Sequence, residues 1–120
     1  MAKLSTHVLD TSRGVPAAGV TVEVHILRGD RGDDRRFVVK TVTNADGRTE
    51  RPLLDGDRIE PGVSELTFGA ADYFRRSGVA LPDPPFLGDV VLRVGIADAQ
   101  GHYHVPLLLS PYGYSTYRGS

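Results

Sequence analysis

Turn-forming clusters punctuate this chain at short intervals and leave little room between them for long helices. Ser12-Arg13-Gly14, Gly29-Asp30-Arg31-Gly32-Asp33, Asn44-Ala45-Asp46-Gly47, Asp55-Gly56-Asp57 and Glu60-Pro61-Gly62 are rich in residues that reverse a chain. Short apolar runs fill the gaps: Leu4–Asp10, Val20–Leu27, Phe37–Thr43, Arg51–Leu54, Ser64–Phe68, Asp89–Ala97, Tyr103–Leu109 and Tyr114–Arg118. Such spacing points to a sandwich or barrel of strands. Two runs alternate clearly. Val20, Val22, Val24 and Ile26 share one face, with Thr21, Glu23 and His25 on the other, so His25 is expected to face solvent. Val90, Leu92, Val94 and Ile96 oppose Val91, Arg93 and Gly95 in the same way.

One segment resists the strand pattern. Ala70–Gly78 has helix formers, arginines near its end and a glycine just beyond, which reads as a short helix. The next stretch, Leu81–Gly88, holds three prolines and is a stiff loop. No internal repeat or second-domain boundary is visible. The 120 residues are expected to make one domain, 1–120, with one core. The formal charge is only −1, which argues against a nucleic-acid or acidic-membrane partner. There is no cysteine, hence no disulfide, thiolate metal site or cysteine nucleophile. No apolar stretch resembles a signal peptide or a membrane span, and a cytoplasmic location is expected.

The closing stretch, His102 to Ser120, holds two strand-like runs joined by Ser110-Pro111-Tyr112-Gly113. Most chain ends are frayed and polar, so this one reads as tied down, as the wall of a site. His102 and His104 lie two apart and point to one strand face. Imidazole moves protons near neutral pH. Pro106 cannot donate to a ladder, so its strand has an edge side or a local irregularity there. Taken locally, His104 and His7 read as ordinary strand histidines, and His102, after the Ala99-Gln100-Gly101 turn, as exposed. Arg48 follows Asp46-Gly47 and reads as a loop arginine. His7 with His102 and His104 could also make a three-histidine zinc site with an open water position. Ser120 brings a hydroxyl and, as the last residue, a carboxylate. Arg31-Gly32-Asp33 spells an adhesion tripeptide, which chance explains better within the charged, solvated tip Arg28–Arg36. No Gly-x-Ser-x-Gly elbow occurs, so covalent serine catalysis is poorly supported.

Three motifs carry a family resemblance. The first is Leu4-Ser5-Thr6-His7-Val8-Leu9-Asp10-Thr11 with Gly14-Val15-Pro16-Ala17-Ala18-Gly19. The second is Thr43-Asn44-Ala45-Asp46-Gly47-Arg48. The third is His104-Val105-Pro106-Leu107-Leu108-Leu109-Ser110-Pro111-Tyr112 with the closing Tyr117-Arg118-Gly119-Ser120. Together they resemble 5-hydroxyisourate hydrolase, the transthyretin-like enzyme of urate breakdown. The terminal tetrapeptide is the specific part, because transthyretin lacks it.

The resemblance implies an all-β, transthyretin-like sandwich of two antiparallel sheets with one short helix after the fifth strand. It implies hydrolysis of 5-hydroxyisourate without metal or cofactor. His7, Arg48 and His104 would be catalytic, and Arg48, Tyr117 and Ser120 would bind substrate. An arginine suits a planar heterocycle bearing carbonyl or anionic oxygens, since its fork donates two parallel hydrogen bonds. Thr116 and Tyr117 would line the pocket or an interface, and Leu108 would be an apolar wall or core residue. The resemblance further implies a homotetramer, a dimer of dimers, with sites between subunits. The run Tyr114–Arg118 would be an edge strand without lysine or proline to deter pairing. Two other readings stay open at this point: a non-catalytic small-molecule carrier, as transthyretin is, and the zinc hydrolase built on His7, His102 and His104.

Overall fold

The computed structural model describes residues 2–29 and 32–120. The Arg31-Gly32-Asp33 tripeptide and the tip Arg28–Arg36 therefore fall partly outside the described residues. Among the described residues, nine strands form two sheets. The first contains β1 (Lys3–Asp10), β2 (Val15–Pro16), β5 (Leu54–Asp55), β8 (His102–Ser110) and β9 (Gly113–Thr116). Its order is β2-β1-β8-β9, and β5 also pairs with β1. The second, in the order β4-β3-β6-β7, contains β3 (Thr21–Arg28), β4 (Asp34–Val42), β6 (Gly62–Phe68) and β7 (Val90–Ile96). One helix, α1 (Ala70–Arg76), follows β6, and a single 3-10 turn spans Gly56–Arg58. The two-sheet sandwich and the position of its helix match the expectation from sequence. The short strand β2 was not visible as a run.

Alternation explains which faces meet. Leu4, Val8, Leu107 and Leu109 of the first sheet are fully buried against Val22, Val24, Leu66, Phe68, Val90 and Leu92 of the second. Each large aliphatic side chain removed from water is worth about 1.5–3 kcal/mol, which makes this layer the main stabilising contact. The other face of β1 and β8 carries Lys3, Ser5, His7, His102, His104 and Leu108, which are exposed or half-buried. Leu108 thus lies outside the core, on the same face as His104.

Among the described strand pairs one departs from the antiparallel pairing expected: β1 and β8 run parallel in register from Lys3↔His102 to Asp10↔Leu109. Three short pieces cover the opposite edge of β1, with β5 at Lys3–Leu4, Arg48 at His7 and β2 at Leu9–Asp10. Pro106 therefore sits in an interior strand, and the irregularity lies on its β9 side. There the ladder runs from Ser110↔Gly113 to Leu107↔Thr116, lapses, and resumes as His104↔Gly119. Without an N–H, Pro106 has nothing to donate at the gap. Its carbonyl instead accepts the Thr116 hydroxyl at 2.7 Å.

The alternation expected of Val20–Leu27 breaks. The β3–β4 register shifts between Val24 and His25, so Val24 pairs with Val39 but His25 with Phe37. Val22, Val24 and Leu27 are buried while Ile26 is only half-buried. His25, expected in solvent, is 8% exposed. Phe37 covers it edge to face, with ring centroids 5.6 Å apart, and it pairs with Glu65, which Arg35 and Arg93 grip from either side. The extra residue of this bulge is Val38 of β4, while β3 keeps an unbroken register with β6, so His25 is buried by the neighbours that cover it. Among the described residues no helix is long and apolar enough to cross a membrane.

A buried carboxylate ties α1 to the first sheet. Asp10 accepts hydrogen bonds from Ser12 N–H (3.0 Å), Ser12 Oγ, Arg13 Nε (3.1 Å) and Tyr73 Oη (2.8 Å). Burial alone would raise its pKa, yet the bonds from Ser12, Tyr73 and Arg13 outweigh it and hold the carboxyl below the ordinary 3.8. The depressed value means that Asp10 contributes stability above pH 3.8 and loses it as pH falls through the lower folded value. Asp10→Asn should lower unfolding free energy by about 2–3 kcal/mol at neutral pH, the range for hydrogen bonds to a charged group. Urea denaturation checks this, and the gap to wild type should narrow under acid.

Candidate active site

The parallel β1–β8 pairing determines which side chains meet on the outer face of the first sheet. Ser5 is the Cα partner of His104, and His7 that of Pro106. His104 thus stands between two β1 side chains. Its Nδ1 lies 2.8 Å from Ser5 Oγ, and its Nε2 lies 2.8 Å from His7 Nδ1. The two imidazoles stack with centroids 5.0 Å apart and planes 21° from parallel. Both nitrogens of His104 are engaged, so its ring orientation is fixed from two sides.

Arg48 arrives from the turn after β4. Asn44 Oδ1 accepts the N–H groups of Asp46 (2.9 Å) and Arg48 (3.2 Å), and Asn44 N–H donates to Arg48 O at 2.7 Å. The turn docks on β1 through Val8 N–H to Gly47 O, 2.8 Å. Only glycine serves at position 47: φ is +75°, and a Cβ would fall 2.4 Å from Val8 O. This docking bridges Arg48 to His7 in the backbone and leaves the Arg48 side chain exposed.

The closing segment returns to the same place. Gly119 N–H donates to His104 O at 2.7 Å. A Cβ on Gly119 would stand 2.8 Å from His104 Cδ2, so any larger residue there would push the imidazole. Arg118 fastens the segment from outside: its guanidinium lies over the Tyr103 ring, 4.4 Å from the centroid, and Nη2 donates to His102 O at 3.1 Å. A cavity of about 240 Å³ results, lined by Lys3, Ser5, Arg48, His102, Tyr103, His104 and Ser120.

Of the residues singled out from sequence, Arg48, His104 and Ser120 share this cavity, and His7 is hydrogen-bonded to its wall. Tyr117 is placed elsewhere in the chain. It is exposed and, with Thr116, Val94, Val105 and Arg118, lines a neighbouring groove of about 330 Å³ at the open edge of the sandwich. His102 lines the cavity, but the three histidines of the zinc reading do not gather around a point. Among the described residues no group of three or more His, Asp or Glu could hold a metal ion, and His104 already uses both nitrogens. Sequence reading assigned no role to Lys3 or Ser5. The signal was present, because positions 3, 5 and 7 alternate onto one face. The parallel partner that makes the face a site was not visible.

The electrostatics favour neutral imidazoles. His7 is held below the ordinary 6.5 by burial and then by the Arg48 charge. His104 is lowered by burial, then by His7, Arg48 and Lys3. An imidazole that stays unprotonated at neutral pH can accept a proton, while Lys3 and Arg48 give the cavity a cationic rim suited to an electron-rich ligand.

The model of the HIUase/transthyretin family matches residues 4–119. The protein 5-hydroxyisourate hydrolase 2 of Rhizobium meliloti (strain 1021) is 58% identical over 119 residues, covering 98% of this chain and 96% of that protein. The solved structure of Klebsiella pneumoniae 5-hydroxyisourate hydrolase aligns with a TM-score of 0.80 at 34% identity, covering 100% of both chains. The crystal structure of (S)-allantoin synthase aligns with a TM-score of 0.91 at 42% identity over 99% of this chain, which spans only 44% of that one.

The two depressed imidazoles give a direct check. In a histidine NMR titration, His7 and His104 should both have midpoints below 6.5. Arg48→Gln removes a cation that opposes their protonation, so both midpoints should rise. Midpoints unchanged by the substitution would remove Arg48 from the causes, leaving burial for His7 and burial with His7 and Lys3 for His104.

Proposed function

This chain belongs to the HIUase/transthyretin family, and we propose that it hydrolyses 5-hydroxyisourate to 2-oxo-4-hydroxy-4-carboxy-5-ureidoimidazoline. The observation that carries this reading is the His7–His104 hydrogen bond of 2.8 Å, beside Arg48, on a cavity that also takes in Ser120. A carrier needs no hydrogen-bonded imidazole pair kept neutral next to a guanidinium. Ring opening needs those groups: a base for water, an acid for the departing nitrogen and a donor for the developing oxygen charge.

In this reading, water attacks the lactam carbonyl, and the histidine pair takes its proton. Arg48 binds and polarises the substrate through its planar fork. A proton then returns from the hydrogen-bonded histidine system to the ring nitrogen as the C–N bond breaks. Ser120 holds the substrate by hydrogen bonding. No covalent intermediate is required, because a strained and electron-poor cyclic amide is open to water directly.

We further propose that four chains associate as a dimer of dimers, with the cavity enclosed between subunits. Three features support this. The cavity lies on the outer face of the first sheet, away from the core between the sheets. The strands β9 and β7 are sheet edges with open backbone groups. Tyr114 and Tyr117 expose aromatic surface on and beyond β9, at 46% and 58%. A partner across that edge would bring Tyr117 toward a neighbouring cavity.

The decisive assay generates 5-hydroxyisourate from urate with urate oxidase and follows its decay. Wild type should accelerate the decay. His7→Ala and His104→Ala should each lower turnover about 10²–10⁴-fold, the usual loss for a general acid or base, while remaining folded. Arg48→Lys keeps the charge and loses the fork, so it should also be impaired. On acidification kcat/KM should fall with a midpoint below 6.5, since protonation of the depressed pair removes the base. Light scattering at assay concentration should report four chains. A fully active monomer would discard the interfacial site.

A further inference from the structure

Ser5 occupies one end of a continuous hydrogen-bonded line. The line runs from Ser5 Oγ to His104 Nδ1 (2.8 Å), across that ring, and from His104 Nε2 to His7 Nδ1 (2.8 Å). Its two ends are the Ser5 hydroxyl, on the cavity wall, and His7 Nε2. The line is self-consistent in two directions. In the first, His7 Nδ1–H donates to His104 Nε2, His104 Nδ1–H donates to Ser5 Oγ, and His7 Nε2 carries an open lone pair. In the second, the Ser5 hydroxyl donates to His104 Nδ1, His104 Nε2–H donates to His7 Nδ1, and His7 carries its proton on Nε2. A hydroxyl both donates and accepts, so serine serves both directions. A carboxylate would serve only the first, and alanine neither.

We propose that Ser5 is the third member of a proton relay, Ser5–His104–His7, whose two hydrogen-bonding directions let a proton enter at His7 and leave at Ser5. The proposal deepens the hydrolase reading and rests on it. Water gives a proton to His7 Nε2, and its oxygen bonds to the substrate carbonyl carbon. The Nδ1 proton of His7 passes to His104 Nε2, and the Nδ1 proton of His104 passes to Ser5 Oγ. Ser5 releases its own proton into the cavity, where the departing ring nitrogen takes it as the C–N bond breaks. One water is consumed, and neither ring is left charged. Exchange with solvent at the two ends restores the first direction. The arrangement suits a site whose rim already carries Lys3 and Arg48, because an imidazolium beside those cations is disfavoured.

The substitutions Ser5→Ala and Ser5→Thr test the relay, with folding confirmed by circular dichroism. Ser5→Ala should lower kcat by about 10–10²-fold, up to the lower end of the effect of losing a general acid or base, and leave KM within about twofold. Ser5→Thr keeps the hydroxyl and should retain most of the rate. In mixtures of light and heavy water, the wild-type rate should bow with deuterium fraction, as several protons move together, and Ser5→Ala should give a straight line. A kcat within about twofold of wild type in Ser5→Ala, or equal damage in Ser5→Thr, would overturn the relay. Long-range proton–nitrogen spectra give a readout that needs no substrate. His104 should exchange between its two neutral tautomers in wild type and settle into one in Ser5→Ala. If wild type fails to accelerate 5-hydroxyisourate decay, the hydrolase reading falls, and the spectra still judge the relay. A single His104 tautomer indifferent to Ser5→Ala would end it.

Discussion

The parallel pairing of β1 with β8 is the constraint on which the site depends. It sets Ser5 against His104 across eight matched positions and places His7 one step further along. A slip of one residue would turn every side chain on the slipped strand to the other face. His104 would then point into the core, and Leu107 and Leu109 would leave it. The core therefore enforces the site: the fully buried Leu4, Val8, Leu107 and Leu109 hold the register that brings the outer side chains together. Thr6 adds a direct tie, its hydroxyl donating to Val105 O at 2.6 Å.

The cavity combines two demands that usually conflict. Substrate attraction calls for cations, supplied by Lys3 and Arg48, while base catalysis calls for uncharged imidazoles. Burial lowers both imidazoles first, and the same charges add to it: Arg48 opposes protonation of His7 and His104, and Lys3 that of His104, while both attract electron density. Close approach of the backbone completes the arrangement. Gly47 lets the Arg48 turn lie against β1, and Gly119 lets the closing segment lie against the His104 ring. Side-chain chemistry is thus positioned by two places where a side chain is missing.

Much of this was legible before any coordinates. Turn spacing and alternation placed most strands, and Arg75 and Arg76 before Gly78 marked the helix end. His7, Arg48, His104 and Ser120 stood out through motif resemblance, although locally each looked ordinary. Other features were hidden for physical reasons. The burial of His25 follows from Phe37 and Glu65 on the strands beside it, which alternation within β3 cannot reveal. Ser5 and Lys3 gain meaning only from a strand almost a hundred positions away, and local pattern carries no information about parallel partners. Tyr117, grouped with the site by motif, lies on a neighbouring groove within one chain, in the stretch where the β8–β9 ladder has lapsed. The three-histidine spacing looked suitable for zinc, but His104 is spent on its two neighbours.

The span between β1 and its partner also bears on how the molecule is made. Ser5 and His104 are 99 positions apart, so their contact closes nearly the longest loop the chain offers, and that closure costs entropy before any contact rewards it. Strands β3, β4, β6 and β7 pair antiparallel with one another and lie wholly between those positions. During synthesis every strand of that second sheet leaves the ribosome before β8 does. The first strand emerges early and waits with its edge open until the penultimate strand arrives. Folding and acquisition of the site are then separate events: a nascent chain can hold half of its sandwich and still lack every contact that makes the imidazole pair.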